Sequence, residues 1–130
     1  MFKKLAILLI FIVSIAGCKK YENDPSSSRL LSVKLRMCSH SWEHAYVYNY
    51  KSGYVYSDGK TAEHSYFSKN GDCSSESYFL SECYAWEFID HKNQISITYR
   101  NGDNVNFKIT TLTLKNFDLE NDSIRIFLKR

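Results

Sequence analysis

The stretch QISITYRNGDNVNFKITTLTL, residues 94–114, indicates the fold of this chain. On both sides of Asn101-Gly102, apolar and polar residues alternate with a period of two, which is typical of strands with one buried face. An Asn-Gly pair between two such runs predicts a tight β-hairpin. The same alternation recurs on either side of this stretch. The sequence predicts strands over residues 42–50, 53–57, 62–69, 84–90, 94–99, 104–114, 116–119 and 123–128.

Closure into a barrel is expected from this number of strands. An open sheet of strongly twisted strands leaves two edges unpaired, and a closed barrel removes both. We therefore predict an all-β fold, a single small up-and-down antiparallel β-barrel of about eight strands. Residues 33–37 alternate in the same strand-like way. The predicted interior residues are the apolar members of the later runs: Tyr84, Trp86, Phe88, Ile95, Ile97, Tyr99, Val105, Phe107, Ile109, Phe117, Leu119, Ile124, Ile126 and Leu128.

The N-terminus has the three parts of a secretory signal peptide. Lys3 and Lys4 precede an apolar run that ends in small residues before Cys18. Residues 5–16 reach roughly 18 Å as a helix, which is shorter than a ~30 Å hydrocarbon core. The sequence Ile15-Ala16-Gly17-Cys18 resembles the lipobox of bacterial lipoproteins. In that family the signal is cut before the cysteine, and the cysteine is diacylated and usually triacylated.

The lipobox resemblance implies a domain organisation and a location. Residues 1–17 are the expected signal peptide, residues 18–28 the lipidated Cys18 and a flexible tether, and residues 29–130 the barrel domain. The lipid implies attachment to a membrane of the cell envelope. The outer membrane is favoured over the inner because no Asp follows Cys18. The sequence leaves open whether the domain faces the periplasm or the exterior.

Composition and net charge limit the classes of partner that this protein can bind. A chain of 130 residues has room for one domain, and 44% apolar with 24% charged residues is ordinary globular usage. Removing Lys3 and Lys4 from the 17 basic residues leaves 15 against 14 acidic ones in residues 18–130. A mature chain with a net charge this close to zero lacks the excess of basic residues that nucleic-acid binding requires.

Three cysteines remain if Cys18 is acylated, and the envelope permits disulfides. Three thiols allow three pairings, and the sequence does not decide among them. We favour Cys73 with Cys83, which would close the Ser/Glu-rich residues 74–82. Cys38 would then be free, and we expect it to be a small buried hydrophobe.

The late strands carry a second resemblance. Tyr84-Ala85-Trp86-Glu87-Phe88, Phe107-Lys108-Ile109-Thr110-Thr111-Leu112-Thr113-Leu114 and Phe117-Asp118-Leu119 are similar to runs in small lipocalin-like lipoproteins of Bacteroidota. The similarity covers about residues 39–130. It implies an eight-stranded lipocalin-like barrel. In the same group of bacteria, Asp122-Ser123-Ile124 resembles an O-glycosylation motif, which implies a glycan on Ser123.

The sequence offers little for catalysis. His40 and His44 are the closest histidine pair, and on a strand this spacing separates them by about 13 Å, too far for one metal ion. Nucleophile elbow, phosphate-binding glycine loop and dinucleotide fingerprint are all absent from the sequence. We therefore predict no enzymatic activity, no cofactor and no metal site.

Aromatic residues are the one excess, at 15% of the chain. Their wide faces and polar tips suit a cavity for a small apolar or aromatic ligand. Bulky rings favour a filled core over a ligand cavity in a barrel of this size. A third interpretation places exposed tyrosines on an outer contact surface for a protein. The sequence thus predicts a non-enzymatic binding module, or alternatively a protein-interaction or inhibitor module with a filled core. The predicted ligand-binding residues are Trp42, Tyr46, Tyr48, Trp86 and Phe88.

Overall fold

The part of the chain that the structure describes forms nine strands and one short helix. The computed structural model describes residues 20–22, 32–56, 63–77 and 79–130. Helix α1 spans Val33–Cys38, and a 3₁₀ turn spans Asp90–Lys92. The strands are β1 (Trp42–Asn49), β2 (Val55–Tyr56), β3 (His64–Phe67), β4 (Cys73–Ser75), β5 (Cys83–Ile89), β6 (Gln94–Tyr99), β7 (Asn104–Leu112), β8 (Asn116–Glu120) and β9 (Ile124–Lys129).

All strand pairs are antiparallel, and the sheet runs β4-β3-β1-β9-β8-β7-β6-β5. Strand β2 pairs with Val47 and Tyr48, whereas β3 pairs with Trp42 and Glu43. The short strands β2 and β3 therefore pair with the two halves of β1 on the same side and together occupy one strand position in the barrel. The prediction of an all-β, up-and-down antiparallel barrel of about eight strands is confirmed.

The barrel closes between β4 and β5, where pairing is sparse. One isolated bridge joins Asp72 to Ala85, and the Trp86 amide donates to the Gly71 carbonyl over 2.9 Å. The Cys73–Cys83 disulfide spans the same seam, with 5.7 Å between Cα atoms. The predicted pairing of these two cysteines is confirmed. Cys38, the remaining cysteine of the described residues, is free and buried as predicted.

Register shifts in β1, β5 and β7 change which residues face the interior, and the one in β7 lies between Ile109 and Thr111. The register of β1 shifts between His44 and Tyr46, so one extra residue reverses the alternation. The register of β5 shifts between Cys83 and Ala85, and Tyr84 is 63% exposed. The prediction that Tyr84 faces the interior is therefore wrong, because the bulge turns Cys83 inward in its place.

Residues 33–37 were predicted to alternate like a strand, and this is wrong because they belong to α1. The Ser32 hydroxyl caps the helix by accepting from the Leu35 amide over 3.1 Å. The helix packs on the barrel through the Met37 carbonyl, which accepts from the Trp42 indole over 2.9 Å. Arg36, only 2% exposed, donates to the Leu112 carbonyl. These tertiary contacts outweigh an alternation that covers only five residues.

The two ends of the barrel are distinct. We call the end that carries α1 and the turns over residues 68–72, 90–93 and 113–115 the helix end. The opposite end, with the turns over residues 50–54, 100–103 and 121–123 and the described residues 76–77 and 79–82, is the far end. Met37 on α1 and Leu80 near the far end are both 0% exposed. Each end is thus covered by a buried apolar side chain.

Candidate functional site

Aromatic rings fill the interior of the barrel. The Trp42 and Phe117 ring centroids lie 5.5 Å apart, and those of Phe117 and Phe67 lie 5.7 Å apart. Strands β1 and β9 separate Phe67 on β3 from Phe117 on β8, so this last contact crosses the interior. Phe67 also contacts Trp86 at 6.3 Å. Opposite walls of the barrel therefore meet through side chains at this level.

These rings are sealed from solvent. Trp42, Phe67 and Phe117 are each 0% exposed, and Trp86 is 6% exposed. The Trp42 indole donates to the Met37 carbonyl, and the Trp86 indole donates to the Ser68 carbonyl over 3.0 Å. Both polar groups of the tryptophans are thus satisfied by backbone oxygens. The arrangement is that of a packed core in which both indole N–H groups are hydrogen-bonded.

The five predicted ligand-binding residues do not share one surface. Trp42 and Trp86 are buried inside the barrel, and half-buried Phe88 contacts Trp86 at 5.0 Å. Tyr46 is 38% exposed and stacks on Phe127 at 4.0 Å. The period of two predicts that Trp42, Tyr46 and Tyr48 share one face of β1, and this is wrong because the β1 bulge puts Val47 inside instead. Ligand binding by these five residues stays a prediction.

Phe67 is a central ring that the sequence analysis missed. The β3 residues Ser65 and Phe67 are buried, whereas His64 and Tyr66 point outward and are exposed. Because Ser65 is polar, the buried face of β3 does not show two apolar residues in alternation. The signal available in the sequence was Phe67 itself, at the end of a predicted strand just before a turn at Asn70-Gly71.

Ser65 belongs to a chain of polar contacts that crosses three strands. Its hydroxyl lies 2.7 Å from His44 Nε2 and 2.6 Å from the Ser75 hydroxyl. In many hydrolases a serine nucleophile is activated by a histidine that accepts its proton. Ser65 is 0% exposed, however, and its hydroxyl is already engaged by both neighbours. The chain of contacts links β1, β3 and β4 and fits a structural role.

The structure brings no metal site together in the part of the chain that it describes: no three His, Cys, Asp or Glu side chains are close enough to share an ion. His40 stacks on Trp42 at 4.4 Å, and its Nδ1 lies 2.9 Å from the Ser39 hydroxyl. His40 Nε2 is buried, and the described residues offer it no hydrogen-bond partner. Burial, and then the charge of Arg130, lower the pKa of His40.

This lowered pKa predicts acid sensitivity. The unfolded chain binds a proton on His40 at higher pH than the folded chain does, so stability falls as the pH drops through about 6.5 and below. In urea unfolding at about pH 7.5 and about pH 5, His40→Gln should lose less stability on acidification than the original protein. An equal loss of stability in both proteins would contradict a half-buried His40 whose pKa is lowered by folding.

Three residues of the predicted tether lie against the helix end. The Tyr21 hydroxyl donates to the Lys92 carbonyl over 2.8 Å, and Tyr21 is 3% exposed. Lys20 Nζ donates to the His91 carbonyl over 2.6 Å. The Tyr21 ring also lies 5.8 Å from the Arg36 guanidinium. Residues 20–22 are therefore part of the folded domain rather than a free linker.

Of the two predicted modification sites, Cys18 and Ser123, only Ser123 lies within the described residues. Cys18 and the predicted signal peptide lie outside the described residues. Ser123 is exposed in the far-end turn that joins β8 to β9, where its amide donates to Asn121 Oδ1 over 2.9 Å. Its hydroxyl lies on an accessible surface, and glycosylation there stays a prediction.

Comparisons with known proteins add a likeness of fold. No family model matches the chain, and no curated protein matches it. A solved structure that it resembles is a lipocalin-like protein from Bacteroides uniformis, at 12% identity with a TM-score of 0.46. The match covers 73% of this chain and 98% of that chain. Among the described residues, no helix has the length and apolar character needed to cross a membrane.

Proposed function

We propose that this protein is a lipid-anchored, non-enzymatic binding module of the bacterial outer membrane, and that it binds a protein partner through the outside of its barrel. The observation that carries this proposal is the contact between Phe67 and Phe117, which joins opposite walls at 5.7 Å. A ligand inside the barrel would have to displace these rings. The filled-core alternative from the sequence therefore fits the structure better than a hollow carrier.

The most exposed aromatic surface is the hairpin formed by the end of β1 and β2. Tyr54 is 67% exposed, Val55 56% and Tyr56 49%, so both faces of the short strand are open to solvent. Among the described residues, only β1 pairs with β2. Tyrosine combines apolar area with a hydrogen-bonding tip and is enriched at protein interfaces. We call residues 50–56 the tyrosine hairpin and assign the partner contact to it.

A fluorophore titration tests the filled interior. Purified protein with its disulfide intact is titrated with an environment-sensitive apolar dye, and then with fatty acids and small aromatic compounds as competitors. We expect no saturable one-to-one binding. Saturable binding that competitors displace, and that Trp86→Ala weakens while Tyr84→Ala does not, would overturn the proposal in favour of a small apolar ligand. Tyr84 is the matched control because it lies on the same strand but is 63% exposed.

Site-specific photocrosslinking tests the tyrosine hairpin. A photoreactive amino acid replaces Tyr54 in cells, and the same replacement of Tyr84 is the control on a separate exposed surface. We expect one discrete protein adduct from position 54, lost when Tyr56→Ser is added. Adducts that are identical from both positions would contradict a specific contact at the hairpin.

A further inference from the structure

The position of the lipid relative to the barrel follows from the contacts of residues 20–22, if the proposed lipidation of Cys18 holds. Lys20 and Tyr21 are bound to the backbone of the turn at residues 91–92 by hydrogen bonds of 2.6 and 2.8 Å. Cys18 precedes Lys20 by two residues, which can span at most about 7 Å between Cα atoms. An acylated Cys18 would therefore hold the helix end close to the lipid head groups.

The two ends of the barrel differ in charge, and the helix end has the positive charge that favours contact with anionic head groups. At the helix end, basic residues outnumber acidic ones, whereas at the far end acidic residues are in excess. Lys34 on α1 and Lys69 in the turn over residues 68–72 are both exposed at the helix end. The described charged residues of the segment 20–22, α1, the helix-end turns and the last position are Lys20, Glu22, Lys34, Arg36, Lys69, Asp72, Asp90, Lys92, Lys115 and Arg130; those in the far-end turns are Lys51, Glu76, Glu82, Arg100, Asp103 and Asp122.

We propose that the helix end is a membrane-facing surface that rests on anionic lipid head groups, with the tyrosine hairpin at the far end directed away from the bilayer. This proposal rests on the proposed lipid anchor and deepens it. Each Lys or Arg held near an anionic surface strengthens binding roughly fivefold. The contacts of residues 20–22 with the turn at residues 91–92 fix which end of the barrel faces the bilayer. The exposed lysines favour anionic over neutral head groups.

Energy transfer to the bilayer tests this orientation. Full-length lipidated protein is reconstituted into vesicles of equimolar phosphatidylcholine and phosphatidylglycerol with an acceptor dye on the head groups. Donor dye is attached at Asn70→Cys in a helix-end turn or at Ser52→Cys in a far-end turn, both exposed positions. Native Cys38 is 6% exposed and should not label. The strands separate the two sites by about 25 Å, so we expect severalfold more efficient transfer from position 70.

Charge reversal at each end provides the matched comparison. Lys69→Glu/Lys115→Glu should lower transfer from position 70, and Lys51→Glu/Arg100→Glu, with the same change in charge, should leave it unchanged. Equal transfer from both labels, or equal effects of the two reversals, would overturn the proposal. Intact mass separates the two levels of failure: absence of acyl chains would overturn the anchor and this proposal together, whereas acylated protein with equal transfer would overturn the orientation alone.

Discussion

Replacing Phe117 with alanine should lower the free energy of unfolding by about 3–5 kcal/mol, the usual cost of deleting a fully buried aromatic ring. Phe117 is 0% exposed and touches both Trp42 and Phe67, so its removal leaves a cavity with partners on two sides. The rings around it are tied by hydrogen bonds from both tryptophans to backbone oxygens. They cannot move freely to fill the space.

Urea unfolding followed by tryptophan fluorescence measures this effect, because Trp42 lies beside the deleted ring. Tyr84→Ala is the control: it also removes an aromatic ring, but from a residue that is 63% exposed, and it should change stability by no more than about 0.5 kcal/mol. A Phe117→Ala variant as stable as this control would show that the interior is loosely filled. The proposal of a packed, ligand-free barrel would then fail with it.

The strand order of this barrel could be predicted from its second half because alternation is uninterrupted in β6, β8 and β9, although the register of β7 shifts between Ile109 and Thr111. Strands β6, β8 and β9 place Ile95, Leu119 and Ile126 inside as the period of two requires. In β1, β5 and β7 the same period gives the wrong face on one side of the bulge. A bulge is set by pairing with the neighbouring strand, at His44 and at Cys83, and nothing local in these runs marks it.

The helix end shows a second limit of local patterns. Residues 20–22 are polar by composition and lie in a stretch that the sequence assigns to a tether, yet Tyr21 is 3% exposed. Its burial depends on a carbonyl at Lys92, 71 positions away in sequence, and on the guanidinium of Arg36. Neither contact has a signature in the segment itself. The disulfide was easier to predict because its two cysteines enclose a short loop.

Loss of the Cys73–Cys83 disulfide should lower the free energy of unfolding by about 2–3 kcal/mol. The bond closes a loop with a sequence separation of 10 and so restricts the unfolded chain. In the folded state it spans the seam between β4 and β5, where the described backbone contacts are one bridge and the hydrogen bond from Trp86 to Gly71. Few other contacts at the seam can compensate for it.

Unfolding in urea with and without dithiothreitol measures this contribution, and the Cys73→Ser/Cys83→Ser variant should match the reduced protein. Cys38→Ala is the control, since it removes a buried thiol that takes no part in the bond. It should keep the full difference between oxidised and reduced protein. Burial also raises the pKa of the Cys38 thiol, so that thiol should not exchange with the disulfide in the folded state. If reduction left the unfolding midpoint unchanged, the seam would have to be held by the strands alone, and the bond would be dispensable for closing the barrel.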